Sequence, residues 1–233
     1  MSKPRLLDLF CGAGGAAMGY SRAGFKVVGV DIKPQPRYPF KFIQADALLF
    51  LREMMSPRQW QDSGKECWDF AAIHASPPCQ AYSSASIPGK PYPDLYEETR
   101  ILLEHTGLPW VLENVRGAPH RSGVVLCGSQ FGMRIRRHRY FETSFPMLIS
   151  PCNHEDQGQT LSVTGNGYGG KHKGHNGMKP RDVGEAREVM GIDWMTIKEL
   201  SQAVPPAYTE LVGTQLLPHI RPGADPDEKA RVR

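Results

Sequence analysis

A cysteine that follows two prolines is the residue of this chain best suited to nucleophilic chemistry. Segment 76–80 reads Ser-Pro-Pro-Cys-Gln and comes just after an apolar run at 69–74 that predicts a strand. Because proline fixes φ and removes a backbone donor, the Pro-Pro step makes a stiff, extended platform for Cys79. A single cysteine is more often a small buried hydrophobe. A thiol held at the carboxyl end of a strand, however, lies where α/β proteins bind ligands, so the pattern predicts an attacking thiolate.

A carboxyl group and a basic cluster could assist this thiol. Glu113 lies in the predicted strand 110–114, where partial desolvation could keep it protonated and able to donate a proton. A structural ion pair is the alternative. Arg137 and Arg139 alternate with His138, and in a strand this spacing points both guanidinium groups to one face. There they could bind a phosphate and a base oxygen, although basic clusters are usually solvated.

A glycine-rich turn follows the first predicted strand. Residues 12–17 read Gly-Ala-Gly-Gly-Ala-Ala and fit the G-x-G-x-x-G/A pattern, with Asp31 about 20 residues further on. The glycines let a ligand approach the backbone, and a carboxylate can accept hydrogen bonds from ribose hydroxyls. Asp46 ends the next strand and could reach an adenine amino group or cap a helix. The turn alone does not distinguish a dinucleotide from another adenosine cofactor, or from a turn without a ligand.

These candidate residues need a fold that brings strand ends together. Strands that alternate with helices and end in polar residues predict an α/β fold, a doubly wound, mostly parallel sheet of Rossmann-like type. The predicted strands are 5–10, 26–31, 41–46, 69–74 and 110–114, with further strands in 123–132 and 139–143, and the predicted helices include 16–23 and 93–105. The carboxyl ends of such strands share one rim, which becomes the predicted site.

Composition changes along the chain predict its organisation. We expect a catalytic and cofactor-binding core at 1–143, a small loop-rich recognition insert at 144–180, C-terminal segments at 181–220 that complete the core, and a flexible tail at 221–233. The insert is rich in Gly, Pro, Asn and His, which favours loops over a second core.

The overall composition is that of a soluble globular protein. The chain has 233 residues, 22% of them charged, and a net charge of +4, which permits a polyanionic partner without demonstrating one. No apolar run approaches the length of a membrane span, and Asp8 interrupts the early apolar run, so we expect neither a signal peptide nor a membrane partner. Five cysteines, an odd number, favour a reducing cytosol over a disulfide framework. We therefore expect a cytoplasmic protein, and a monomer.

The motifs and their order resemble those of the DNA cytosine-5 methyltransferases. Segment 8–15 resembles the first, cofactor-binding motif of that family, 76–80 its Pro-Cys-Gln catalytic motif and 113–115 its Glu-Asn-Val motif. Segment 137–139 is similar to the Arg-x-Arg motif, and 201–206 is similar to the closing Gly-Asn-Ala-Val-Pro-Pro motif. The resemblance extends over residues 5–217.

The resemblance implies S-adenosylmethionine as the cofactor and double-stranded DNA as the partner. It implies cofactor contacts from Asp8, Phe10, Cys11, Gly12, Ala13, Gly14, Gly15, Asp31, Ile32, Asp46, Ala47, Pro78, Gln202 and Ala203. It implies catalytic roles for Cys79, Glu113, Arg139 and Arg137, and substrate contacts from Pro78, Gln80, Ser83, Asn114 and Arg136. In this interpretation Cys79 adds to C6 of a flipped-out cytosine, Glu113 binds N3 and Arg139 binds O2.

Some features depart from the family pattern. Ile135 stands where the family usually has Gln, and Ser201-Gln202 replaces the usual Gly-Asn. The insert is also far shorter than a normal target-recognition domain. Because reading several base pairs requires side chains at several groove edges, we expect a short target such as GpC or CpG, or the help of a partner. Compact members of this kind resemble enzymes of bacteriophage genomes.

Other functions remain open at this point. The substrate could be RNA or a free nucleotide, and the chain could be a DNA-binding relative without catalytic activity. An NAD-dependent oxidoreductase is the weakest alternative because only the glycine turn favours it.

A second group of residues has the composition of a zinc site. Cys152, His154, His172 and His175 could supply four ligands, but their spacing is loose. We expect polar loop residues near DNA and no metal.

Overall fold

The structure is a computed structural model that describes residues 2–56, 69–83, 86–87, 89–165, 168 and 178–220. The strands are β1 Arg5–Leu9, β2 Lys26–Asp31, β3 Lys41–Gln44, β4 Ala72–Ala75, β5 Trp110–Asn114, β6 Val124–Leu126 and β7 Arg139–Thr143. The α-helices are α1 Gly15–Arg22, α2 Ala47–Met55, α3 Tyr96–His105, α4 Val183–Met190, α5 Ile197–Gln202 and α6 Pro206–Leu216, and two 3-10 turns span Gly128–Phe131 and Leu217–His219. None of the helices in these ranges is both long and apolar enough to span a lipid bilayer.

The described strands form one sheet in the order β3-β2-β1-β4-β5-β7-β6. The first five strands are parallel to one another, whereas β7 runs antiparallel to both β5 and β6. This confirms the predicted doubly wound, mostly parallel sheet. Three predicted boundaries were wrong by two or more residues: β3 ends at Gln44 because Asp46 caps α2, β4 begins only at Ala72, and α3 begins only at Tyr96.

Alternate residues of the central strands fill two cores, one on each face of the sheet. Leu6, Val27 and Val111 belong to one core, whereas Leu7, Val28 and Leu112 belong to the other. Strands buried on both faces read as continuous apolar runs, which explains why the central strands were easy to predict. A third cluster, which includes Ile135, Leu161 and Met190, joins the insert to α4 and α5.

The last helix, α6, packs directly on α1. A side chain at Gly19 would place its Cβ 2.1 Å from Thr209 Oγ1 and 2.2 Å from the carbonyl oxygen of Pro206, so the contact requires glycine. Thr209 Oγ1 donates a hydrogen bond to the carbonyl of Ala16 at 2.8 Å. The C-terminal segment is thereby fixed beside the glycine-rich turn that precedes α1.

Candidate active site

The loop that carries Cys79 is anchored to the strands on both sides of β4. On one side, the backbone N–H of Ser76 donates to the carbonyl of Leu9 at 3.2 Å. On the other, Asn114 Nδ2 donates to the carbonyl of Pro77 at 3.0 Å. Because β4 lies between β1 and β5, the thiol stands at the middle of the rim that the sequence predicts.

Charged groups near Cys79 oppose one another. Partial burial raises the pKa of the thiol, the nearby guanidinium groups of Arg139 and Arg137 lower it, and the Glu113 carboxylate raises it. Burial is the largest of these effects, so the thiol is protonated at neutral pH. The two arginines provide the positive field that a thiolate would need.

The antiparallel register of β5 and β7 brings Glu113 and Arg139 together. Glu113 lies opposite Phe141, and Arg139, two residues earlier on β7, points to the same face of the sheet. Arg139 Nε lies 3.1 Å from Glu113 Oε1. The carboxyl group from one motif and the guanidinium from another therefore form one charged pair at the rim.

Glu113 is almost completely buried and only partly satisfied. It is 5% exposed, and Oε1 has no partner in hydrogen-bond geometry among the described residues, since the contact with Arg139 is an ion pair without an aligned N–H. Burial raises the pKa of Glu113, whereas Arg139 and Arg137 lower it. A buried carboxyl oxygen without a hydrogen bond is costly unless a ligand supplies one.

Arg137 serves a different part of the molecule from Arg139. It precedes β7, is 7% exposed, and donates from Nη1 to the carbonyl of Val163 at 3.0 Å and from Nη2 to that of Ser201 at 2.5 Å. Burial lowers its pKa to about 9, which leaves it charged at neutral pH. Arg137 therefore holds the insert and the C-terminal segment to the core, while its charge, like that of Arg139, also acts on Cys79 and Glu113.

The residues predicted to contact the substrate divide into two groups. Gln80 is exposed, and Pro78 and Ser83 are half-buried in the loop around Cys79, where a substrate could reach them. Asn114, by contrast, is 1% exposed. Its amide donates to the carbonyl of Pro77 and accepts from the backbone N–H of Val115, so it positions the Cys79 loop.

Arg136 also has a structural partner where a substrate contact was predicted. Its Nε donates to Gln157 Oε1 at 2.9 Å and its Nη2 donates to the carbonyl of His154 at 2.9 Å. Gln157 in turn donates to the carbonyl oxygens of Met133 and Ile135. This network joins the insert to the segment before β7.

The turn after β1 has the conformation expected of a ligand-binding loop. Phe10, Gly12 and Gly14 have φ values of 57°, 49° and 88°, and a side chain at Gly15 would place its Cβ 2.5 Å from the carbonyl oxygen of Val204. Positive φ at the non-glycine residue Phe10 is a strained conformation of the kind that clusters at ligand sites. The loop opens directly into the N-terminus of α1.

Asp31 and Ile32 follow β2 at the same rim. The Asp31 carboxylate accepts hydrogen bonds from the N–H of Gly12 at 3.0 Å and of Lys33 at 2.9 Å. Each carboxylate oxygen still has acceptor capacity for a ribose hydroxyl. Ile32 is 62% exposed, an apolar surface suited to stacking against an adenine ring.

Asp46 has the structural role that was its alternative interpretation. Its Oδ1 accepts hydrogen bonds from the N–H groups of Leu48 and Leu49 at 2.9 and 3.0 Å, and so caps α2. Both bonds use the same oxygen, which leaves Oδ2 directed to other partners. The residue is exposed, so a cap and a cofactor contact are compatible.

Four residues predicted at the cofactor have buried side chains, and one of them, Ala13, is 8% exposed and belongs to the third cluster. Asp8 is fully buried below the rim, where burial raises its pKa to about 8 and Tyr38 donates a hydrogen bond to Oδ2. Cys11 and Ala47 are 7% and 3% exposed and belong to the two cores. These side chains lie beneath the site. At these positions only backbone groups could contact the cofactor directly.

The C-terminal segment approaches the glycine turn, as the order of the motifs suggested. A Cβ on Gly15 would lie 3.1 Å from that of Ala203, while Gln202 is exposed. Trp194, which sequence reasoning missed, donates from Nε1 to the carbonyl of Ala13 at 2.8 Å. No local signal identifies that contact, because the two residues are 181 positions apart.

Comparison with known proteins identifies the family of the chain. Residues 4–126 match the model of the family described as C-5 cytosine-specific DNA methylase. The chain belongs to this family. Over 124 residues it is 32% identical to the type II methyltransferase M.FnuDI of Fusobacterium nucleatum, an alignment that covers 48% of this chain and 33% of that protein. The chain thus spans about a third of the length of this curated relative.

Two solved structures have the same fold. One is a prophage-encoded E. coli protein assigned as a DNA modification methyltransferase, with 16% identity, coverage of 92% of this chain and 99% of that one, and a TM-score of 0.56. The other is the Dnmt2 methyltransferase of S. pombe, with 12% identity, coverage of 93% and 99%, and a TM-score of 0.58. At these identities the likeness concerns the fold.

The cofactor of this methylase family is S-adenosylmethionine, and the rim fits it. Phe10, Gly12 and Gly14 give the loop after β1 a positive-φ conformation of the kind found at ligand sites, the Asp31 carboxylate retains acceptor capacity, and Ile32 offers an apolar surface. Asp46 Oδ2 could accept from the adenine amino group. These residues would hold the nucleoside half, and the loop at 10–15 the methionine half.

Proposed function

We propose that this chain transfers a methyl group from S-adenosylmethionine to C5 of cytosine in DNA. The observation that carries the proposal is the meeting of three groups at the rim of the sheet: the Cys79 thiol, the buried Glu113 carboxyl and the Arg139 guanidinium. C5 of cytosine is too electron-poor to attack a methyl group unaided. A thiol and a proton donor on the same side of the sheet are the groups that would activate it.

Cys79 acts as the nucleophile. Its sulfur bonds to C6 of the cytosine, the C5–C6 double bond becomes a C4–C5 double bond, and the electron pair displaced from the N3–C4 bond goes to N3. The thiol must lose its proton for this step. Burial raises the pKa of Cys79, which keeps the free protein in the less reactive thiol form, and the arginines stabilise the thiolate when it forms.

Glu113 acts as the acid. Its raised pKa keeps a larger protonated fraction at neutral pH than an exposed glutamate has. The proton passes to N3 as the sulfur adds to C6, so no negative charge accumulates on the ring. The second carboxyl oxygen can accept a hydrogen bond from the exocyclic amine.

Arg139 orients both partners. In the free protein Arg139 is paired with Glu113. Its remaining N–H groups can donate hydrogen bonds to the cytosine O2 and so hold the base beside Cys79. S-adenosylmethionine, when bound, supplies the electrophilic methyl group for C5. Loss of the C5 proton to water then expels Cys79 from C6, and N3 returns its proton to Glu113.

The substrate is a base taken out of its stack. Atoms C5 and C6 are inaccessible to a thiol inside a duplex, and flipping costs a few kcal/mol. The exposed loop residues around Cys79, such as Gln80, are suited to close over the extruded base. The insert at 144–180 is too short for many base contacts, which supports a target of about two base pairs, read in the bacterial cytoplasm.

Methyl transfer from labelled S-adenosylmethionine to duplex DNA, RNA and dCTP tests the proposal. We expect label in duplex DNA, at C5 of cytosine, in one short sequence context. Label found only in RNA or only in dCTP would show that this molecule, and not DNA, is the substrate. No transfer to any of the three, with cofactor binding intact, would overturn the proposed activity.

A further inference from the structure

Four potential metal ligands meet beside the insert, and none of them takes part in the proposed methyl transfer. They are Cys127, His138, Cys152 and His154, and their ligand atoms all lie within 4.8 Å of one another. The first two come from the core and the last two from the insert. Cys152 and His154 were considered as zinc ligands in the sequence, but with His172 and His175, which lie outside the described residues.

We propose that Cys127, His138, Cys152 and His154 bind one Zn²⁺ ion that fastens the insert to the catalytic core. Zn–S bonds of about 2.3 Å and Zn–N bonds of about 2.0–2.1 Å in a tetrahedron place neighbouring sulfur and nitrogen ligands about 3.6 Å apart. The cluster has this spacing already: Cys127 Sγ lies 3.4 Å from His154 Nε2, and Cys152 Sγ lies 3.6 Å from His138 Nε2.

The arrangement of the rings suits a tetrahedral ion better than a simple hydrogen-bonded group. The imidazoles of His138 and His154 are 5.2 Å apart at an angle of 76°, and each presents Nε2 to a sulfur. Two thiolates and two neutral imidazoles balance the charge of a divalent ion, and the two thiol protons pass to solvent on binding. A set of two thiolates and two imidazoles favours zinc among common cellular metals.

Surrounding contacts hold the ligands in place. Gln130 accepts a hydrogen bond from the backbone N–H of Cys127 at 2.6 Å and donates to the carbonyl of Ser150. The N–H of Asn153 donates to Ser129 Oγ at 3.2 Å. These bonds join the turn after β6 to the insert on both sides of Cys152, so the site is organised before the ion binds.

The ion would also steady the catalytic arginine. His138 immediately precedes Arg139, whose Nη1 donates to the His138 carbonyl at 3.0 Å. Arg136 donates to the carbonyl of His154 at 2.9 Å. A small loop-rich insert has little core of its own, and a structural metal is a common substitute for one. We therefore expect metal loss to affect both thermal stability and the placement of Arg139.

Metal analysis of the untagged protein tests the proposal without reference to methyl transfer. We expect one zinc per chain, lost in Cys152→Ser and in His154→Asn. Cys79→Ser is the matched cysteine control and His105→Asn, on an exposed helix end, the matched histidine control; both should retain the metal. The two ligand variants should also melt at least about 5 °C lower.

Wild-type protein provides a second readout if the ligand variants do not fold. Removal of zinc and addition of Co²⁺ should give the visible d–d bands of a tetrahedral site and a thiolate-to-cobalt charge-transfer band. An absence of stoichiometric zinc together with no cobalt spectrum would overturn the proposal, as would a Cys127–Cys152 disulfide found by thiol counting. Methyl transfer by a protein that binds neither zinc nor cobalt would leave the proposed activity standing and refute this site alone.

Discussion

The rim of the parallel strands and the insert beyond β7 are held in place by different kinds of contact. At the rim, strand ends and short bonds next to them position the functional groups: a backbone hydrogen bond ties the Cys79 loop to β1, the Asn114 amide ties it to β5, and Glu113 lies within β5. At the insert, side chains bind carbonyl oxygens across the chain. Arg137 reaches Val163 and Ser201, and Arg136 reaches His154.

The difference separates chemistry from architecture. A side chain replaced at the rim should remove a reactive group while the backbone that presented it stays in place. A side chain replaced at the insert should leave buried carbonyl oxygens without donors and loosen the fold around the site. Activity and stability should therefore change independently at the rim and together at the insert.

Cys79→Ser should give the largest separation of activity from stability. Without a thiolate the addition to C6 fails, and we expect methyl transfer to fall by at least about 10⁴-fold. The free energy of unfolding should change by less than about 1 kcal/mol, because the loop is held by Ser76 and Asn114 and not by the Cys79 side chain. Radiolabel transfer and urea unfolding measure the two effects, and a matching loss of stability would contradict the separation.

Glu113→Gln should lower the rate and change the shape of its pH dependence. We expect a loss of about 10²–10⁴-fold, because the amide can donate a hydrogen bond to N3 but not a proton. The wild-type active form has a thiolate at Cys79 and a proton on Glu113. Between the two pKa values, a rise in pH increases the thiolate fraction of Cys79 and decreases the protonated fraction of Glu113 by the same factor. The wild-type rate should therefore not change with pH in this range.

The Gln variant retains only the thiolate titration. Its rate should rise by about tenfold per pH unit below the raised pKa of Cys79. Single-turnover rates measured at several pH values below that pKa give the slope of the rate against pH. Parallel profiles for the wild type and the variant would show that Glu113 donates no proton.

Arg137→Met and Arg139→Met compare the two regions with the same substitution. Loss of Arg137 leaves the carbonyl oxygens of Val163 and Ser201 unpaired, and should lower the free energy of unfolding by about 2–5 kcal/mol. Loss of Arg139 leaves Glu113 free to take up a proton, so we expect a cost nearer about 1 kcal/mol with a rate loss of about 10²-fold. Equal stability losses would remove the distinction between the regions.

Asp46→Asn should have the smallest effect. Asparagine caps a helix about as well as aspartate, so stability should change little, whereas a neutral acceptor should weaken the contact with adenine and raise the cofactor Kd roughly fivefold to tenfold. Asp182→Asn at the N-terminus of α4, where Asp182 accepts from Glu185 N at 2.9 Å, is the matched control and should leave the Kd unchanged. Titration calorimetry with S-adenosylmethionine measures both, and equal affinities would assign Asp46 to capping alone.

The rim could be predicted because its determinants are local. A buried strand followed by Pro-Pro-Cys, or one ending in Glu-Asn, reveals both the position of the residue and its chemistry within a few positions of the chain. The parallel order then brings those ends together. Burial was harder to predict: Asp8 lies within the predicted first strand, but its side chain is fully buried, where it accepts a hydrogen bond from Tyr38.

The insert could not be predicted because its contacts are long-range. Arg137 lies two residues before the start of β7, and its partners are 26 and 64 positions away. The cluster around Cys127 depends on where an antiparallel edge and a loop meet. The spacing of Cys152 and His154 suggested a metal, but nothing local identified Cys127 and His138 as their partners.

A covalent trap tests the central claim most directly. In a duplex with 5-fluorocytosine at the target position, fluorine replaces the proton whose loss expels Cys79, so enzyme and DNA should remain joined in the presence of S-adenosylmethionine. We expect a denaturation-resistant complex whose DNA is attached to the peptide that contains Cys79, and none with Cys79→Ser. If an enzyme that methylates the unmodified duplex forms no such adduct, or if the adduct lies at another residue, the account is contradicted.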